Sequence, residues 1–143
     1  MDMRCIRRVV CYAIFMAILA VAGTEAAETG PDNVPPYILD GFTTYENQGY
    51  EAAVAVWLKD SPFEKGTEMA SRIQFFKNVE MLYGTYQSYN IVTVKETPSS
   101  QMTYVQIIYQ RQTVYAKFLS FKKNKAWVLS NLHLSDRQEL PAG

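Results

Sequence analysis

The sequence predicts an α+β domain, with N-terminal helices packed on a four-stranded antiparallel β-meander. Three observations predict it. Apolar residues between Ile38 and Tyr83 recur at steps of three and four, which is the helical period. Beyond Gly84 the composition turns to β-branched and aromatic residues. Short turn segments at Pro98-Ser99-Ser100, Arg111-Gln112 and Lys123-Asn124 then divide that half into runs of strand length, and short connections make neighbouring strands antiparallel.

The chain opens with Met1-Asp2-Met3-Arg4-Cys5-Ile6-Arg7-Arg8, a basic segment, followed by an uncharged apolar run from Val9 to Ala22. That run is about 14 residues long, whereas spanning a bilayer takes roughly 20. Small residues follow at Ala20, Ala22 and Ala26. The pattern is that of a cleavable signal peptide over residues 1–26, cut after Ala22 or Ala26. The expected location is periplasmic or secreted, with no membrane span after cleavage. Both cysteines, Cys5 and Cys11, fall inside the signal. The mature protein therefore lacks disulfides and thiol ligands, and its hydrophobic core must hold it together.

Counted from Ala27, the chain carries 11 basic and 12 acidic residues. This balance argues against nucleic acid as a partner. Residues 27–36, with Gly30-Pro31 and Pro35-Pro36, read as a flexible linker. The folded domain is expected over 37–136, and 137–143 as a polar tail.

Each element has its own signature. Ile38, Phe42 and Tyr45 form one helical face, Gly49 breaks it, and Tyr50, Ala53, Val54 and Trp57 resume it until Asp60-Ser61-Pro62. A second long helix runs from about residue 64 or 67 to 82, striped by Met69, Ile73, Phe76, Val79 and Tyr83. Thr67 sits where a cap is expected, and Gly84 where a helix ends in a positive-φ turn. Strands are expected at 86–96, 101–111, 113–122 and 125–135. In the third, Val114, Ala116 and Phe118 alternate with Tyr115, Leu119 and Phe121. In the fourth, Val128, Leu132 and Leu134 are set against Trp127 and Leu129.

Several stretches resemble a known fold. They are Asn47-Gln48-Gly49-Tyr50-Glu51-Ala52-Ala53 with Trp57, Leu82-Tyr83-Gly84-Thr85-Tyr86, Val114-Tyr115-Ala116-Lys117-Phe118, and Lys125-Ala126-Trp127-Val128-Leu129-Ser130-Asn131-Leu132. Together they resemble the cystatin-like, or nuclear transport factor 2-like, superfamily, most closely its small exported bacterial members of unassigned function. The resemblance implies a curved sheet wrapped around the helices with a conical cavity between them. Some proteins of that fold are isomerases or dehydratases that use a pocket acid with a tyrosine; many only bind or dimerise.

Chemistry is sparse. His133 is the only histidine and has no acid beside it in sequence. Asp40 could face a cavity or simply complement the helix dipole. Glu68 and Glu80 read as solvated helix positions. No metal-ligand spacing or phosphate loop occurs, so no metal or cofactor is expected. The favoured reading is a non-enzymatic binding domain, with the acid-and-tyrosine enzyme as the alternative. The ligand-binding candidates are Trp57, Tyr83, Tyr104, Tyr109 and Trp127. An outer sheet face of Tyr115, Leu119, Phe121 and Leu129 is the candidate homodimer interface. The other candidate partners are a small apolar ligand and an envelope protein.

Overall fold

A computed structural model describes residues 33–137. The expected signal segment, residues 27–32 of the expected linker and residues 138–143 of the expected tail lie outside the described residues. Three helices precede four strands: α1 (Pro36–Gln48), α2 (Tyr50–Leu58), α3 (Thr67–Tyr83), β1 (Tyr86–Glu96), β2 (Ser100–Tyr109), β3 (Thr113–Lys123) and β4 (Ala126–Ser135). The helices pack on one face of a curved antiparallel sheet of order β1-β2-β3-β4, which is the predicted α+β class.

Ordered packing begins earlier than the linker reading allows. Val34 is 5% exposed and belongs to the core. The Gln101 Nε2 donates to the Asn33 carbonyl at 2.6 Å. Pro35, at φ −54° and ψ 133°, pre-sets the extended entry, and Pro36 is the first residue of α1.

Gly49 separates α1 from α2 at φ 93°, ψ 178°, a region that side-chain-bearing residues avoid. It lets the chain change direction while its N–H still bonds to the Tyr45 carbonyl at 3.0 Å. Beyond α2, the Ser61 hydroxyl and amide both return to the Leu58 carbonyl, at 2.6 and 3.0 Å. Thr67 is the first residue of α3 and not its cap; Gly66 precedes the helix without a side-chain cap. At the other end Gly84, at φ 92°, donates to the Glu80 carbonyl as expected.

The core is aromatic. Phe42, Trp57, Phe76 and Phe118 are each at most 1% exposed. Phe42 meets Trp57 edge-on at 4.9 Å and stacks on Tyr89 at 4.2 Å. The Trp57 indole also touches Phe118 and Phe76, at 5.5 and 5.6 Å between centroids. Its Nε1–H donates to the Ile38 carbonyl at 3.1 Å, so the one polar atom of the ring is satisfied in the interior.

Register corrects two sequence expectations. β2 ends at Tyr109, because the Gln110 and Arg111 amides bond to the Thr85 and Tyr83 carbonyls and leave the ladder. The last hairpin turns on Asn124 and Lys125, at φ 51° and 69°, one residue later than expected. Two successive positive-φ residues form the turn whose twist suits a two-residue hairpin.

The larger correction concerns Leu129. Leu119 pairs with Asn131 but Ser120 pairs with Leu129, so Ser130 is an extra residue in β4. This bulge reverses the alternation. Leu129 turns inward and is 1% exposed in the core, beside Leu132. Val128 instead pairs with Phe121, on the opposite side from the core. Leu129 therefore cannot belong to an outer-face interface. Strict period-two reading fails wherever an unpaired residue is inserted.

Candidate functional site

The space between helices and sheet, where the resemblance implies a conical cavity, is filled by the aromatic cluster. Besides the Trp57 N–H and the Ser61 hydroxyl, its polar side chains form two groups, each hydrogen-bonded. Under the start of α1, the Tyr37 hydroxyl lies 2.6 Å from Ser120 Oγ, and Thr103 donates to Gln101 Oε1 at 3.0 Å. Burial pushes the Tyr37 phenol well above its ordinary range. No buried side-chain nitrogen or oxygen among the described residues lacks a hydrogen-bond partner.

The second group joins an acid to two tyrosines. Tyr45 comes from the apolar stripe of α1, Glu80 from α3 and Tyr109 from the end of β2. Tyr45 donates to Glu80 Oε1 at 3.1 Å, and its oxygen lies 3.0 Å from the Tyr109 hydroxyl. A phenol has one proton to donate, so Tyr109 must donate to Tyr45. Tyr86 stacks on Tyr45 at 4.3 Å and Phe76 meets it edge-on at 5.9 Å. Tyr45 and Tyr109 are both 3% exposed. Burial raises both phenols well above the ordinary tyrosine range, and for Tyr45 the charges of Tyr109 and Glu80 add to it. Tyr86 is pushed up to about 12, by burial first and then by Tyr89 and Glu46.

Glu80 thus departs from the solvated-face expectation: it is half-buried and hydrogen-bonded. The signal was present in its spacing. Glu80 lies four residues after the fully buried Phe76, on the same helix face. Glu68 is exposed as expected and lies 3.9 Å from Arg72 one turn on.

The five ligand-binding candidates are not brought together. Trp57 and Tyr109 are in the core. Tyr83 is half-buried at the end of α3. Tyr104 lies on the outer sheet face, 7% exposed, with the Lys117 ammonium 5.9 Å from its ring centre. Trp127 is half-buried and lines a groove of about 610 Å³ shared with Tyr37, Asp40, Val56 and Lys125. Asp40 therefore faces this surface groove and not an interior cavity. The Lys122 ammonium sits 5.1 Å from the Trp127 ring.

The outer face differs from the one the alternation suggests: Leu129 leaves it and Val128 joins it. Tyr115, Leu119 and Phe121 are half-buried, with Gln106, Met102 and Ser100 as their cross-strand partners on β2. The large apolar side chains that are strongly exposed lie elsewhere: Met81 and Leu82, at 70% and 66%, on α3, and Val92 in the β1 bulge. The balanced net charge also conceals an asymmetry. Residues 33–84 carry seven carboxylates and four cations, net −3; residues 85–137 carry seven cations and two carboxylates, net +5. The helical layer is acidic and the sheet is basic.

Comparison with known proteins gives a fold likeness. A solved structure of a DUF4783 family protein from Bacteroides uniformis ATCC 8492 superposes with a TM-score of 0.50. The match covers 70% of this chain and 97% of that one, at 14% identity. Such identity speaks for shared architecture alone. No protein-family profile and no curated protein matches the sequence. Among the described residues, no three His, Cys, Asp or Glu side chains are grouped to hold a metal ion. No described helix is long and apolar enough to cross a membrane.

Proposed function

We propose that this chain is an exported, non-enzymatic binding domain of the cystatin-like class that works through its outer surface. The filled interior carries the reading. Phe42, Trp57, Phe76 and Phe118 occupy the space between sheet and helices that a substrate would need. Export is supported by the signal pattern of residues 1–26, for which the expected destination is the periplasm or the cell exterior.

The Glu80–Tyr45 pair is the feature that favours the enzyme alternative, since it joins an acid to a tyrosine. Its geometry serves structure better. Both tyrosines are buried, Tyr45 between Tyr86 and Phe76 and Tyr109 edge-on to Tyr86, and their raised pKa values make them poor proton donors near neutral pH. The homodimer through Tyr115, Leu119 and Phe121 is the weaker of the binding modes. A two-fold contact would bring the Lys117 ammonium of both copies into the interface, and no strand residue on that face is a carboxylate that could compensate.

Native mass spectrometry of the protein recovered from its producing cells tests the reading. The expected species begins between Gly23 and Ala27 and carries no small molecule. A stoichiometric adduct of a few hundred daltons would restore the cavity reading, and an intact Met1 would remove export.

A further inference from the structure

The surface groove of about 610 Å³ lies between the helical layer and the start of β4. Its apolar lining includes Val56 and the half-buried Trp127. Four charged side chains line it, all of them exposed. Asp40 comes from α1, Lys59 and Asp60 follow the end of α2, and Lys125 belongs to the β3–β4 hairpin. No ion pair joins any of the four to another described residue. The backbone singles out two of them. Among the described residues, the side-chain-bearing ones at positive φ are Asp60 at 62°, Asn124 at 51° and Lys125 at 69°. Asp60 and Lys125 both line this groove, with opposite charges. Asp is among the residues that tolerate this region. Lys is not, and glycine would hold the Lys125 position without steric cost. Charged side chains kept at such positions beside a ligand-sized opening point to a use for the charges.

We propose that this groove binds a short peptide with free ends, its ammonium held by Asp40 and Asp60, its carboxylate by Lys125, and an apolar side chain against Trp127. The inference deepens the surface-binding reading above and rests on it. Size selects a small ligand, since sites for such ligands run from ~300 to ~1,000 Å³. The presence of both signs selects a zwitterion. The hairpin wall is cationic: besides Lys125, the Lys122 ammonium stands 5.1 Å from the Trp127 ring. On the helix wall carboxylates outnumber Lys59, because Glu64 accepts the Asp60 N–H at 3.1 Å and adds a third acid. A polyanion would meet Asp40 and Asp60, and a polycation would meet the hairpin lysines, so neither is matched along the whole groove. Separation selects a peptide over a single amino acid. Asp40 and Asp60 stand beyond ion-pair distance of Lys125, whereas the two charges of a free amino acid flank one carbon. Three extended residues place the ends of a peptide ~10 Å apart. The Trp127 ring supplies a broad apolar surface for the side chain between them.

The test is an NMR titration of the isotope-labelled protein, recovered from its producing cells, with the tripeptide Ala-Leu-Ala, its N-acetylated and C-amidated forms, and free leucine. The tripeptide should move the Trp127 indole N–H signal and leave that of the buried Trp57 in place, with a Kd below about 1 mM. Blocking either end should weaken binding about fivefold, the upper end for exposed ion pairs, and leucine should bind less tightly than the tripeptide. Asp60→Gly should reduce the acetylation penalty to about twofold and leave the amidation penalty whole; Lys125→Gly should do the reverse, since such a cycle isolates each pair. Glycine suits both backbones, so thermal midpoints no lower than the parent's would separate lost binding from lost folding. If either midpoint falls, Asp40→Asn or Lys125→Asn takes that variant's place. No shift at millimolar peptide, blocked peptides bound as tightly as the free one, leucine bound as tightly as the tripeptide, or both penalties falling together in either variant would overturn the proposal. The titration reads the groove and native mass spectrometry reads the interior, so the two readings fail separately.

Discussion

Gly41→Ala isolates the tightest contact in the core. Gly41 lies within α1, and a methyl group added there would overlap the Trp57 indole. On an isolated helix the change should help, because Ala is favoured over Gly by ~1 kcal/mol. Here the ring has nowhere to retreat. It is 0% exposed, held between Phe42, Phe76 and Phe118, and tied by its N–H to the Ile38 carbonyl. Overpacking of this kind costs ~1–3 kcal/mol, and displacing the indole strands its buried N–H at a further ~1–3 kcal/mol. Less the propensity gain, a destabilisation of about 3 kcal/mol results, a large part of the ~5–15 kcal/mol that holds a domain. Urea unfolding followed by tryptophan fluorescence measures it. With a slope of ~1–3 kcal/mol per molar, the midpoint should fall by roughly 1 M or more. The smaller ring of Trp57→Phe should relieve the overlap, so Gly41→Ala should cost at least ~1 kcal/mol less in that background. A midpoint equal to or above that of the parent would refute the packing argument.

Other outcomes follow from the same structure. Tyr45→Phe removes the hydroxyl that joins Glu80 to Tyr109 and leaves the Tyr109 proton without its acceptor; a loss of ~1–3 kcal/mol in urea unfolding is expected, and a change below about 0.5 kcal/mol would show the network to be idle. Alkaline pH should unfold the domain. Tyr37, Tyr45, Tyr86 and Tyr109 are raised when folded, so the unfolded chain loses these protons first, and stability that is intact below the ordinary value of about 10 falls as pH rises above it. Thermal midpoints between pH 9 and 11 check this, and a flat profile would contradict it. Lys125→Gly should stabilise the hairpin by up to ~1 kcal/mol, since Lys125 holds φ 69° at a turn position where glycine meets no steric cost; a lower thermal midpoint would show that the Lys125 side chain contributes more than its strain removes.

Much of the architecture was legible in local pattern. Ile38, Phe42, Tyr45, Ala53, Val54 and Trp57 are buried as their helical spacing requires, and Val114, Ala116 and Phe118 share the inner face as alternation requires. Gly49 and Gly84 mark real boundaries at positive φ. These features depend on a few neighbouring residues, on the 3.6- and 2-residue periods and on backbone freedom, so the chain carries them before it folds. The candidate site was less legible. Tyr45, Glu80 and Tyr109 are 35 and 64 residues apart in their hydrogen-bonded pairs, and no local period relates them.

Tertiary structure alone decided the rest. Leu129 changed faces because Ser130 has no partner across the ladder, and a bulge is set by pairing with a distant strand. Val34 entered the core because Gln101, on a strand far along the chain, bonds to the residue before it. The charge counts of the two halves could be read from the sequence, but not that Lys95, Lys117 and His133, on three strands, stand on one face. That arrangement exists only once the register is set, because a side chain's face depends on which residue its strand pairs with and not on its own identity.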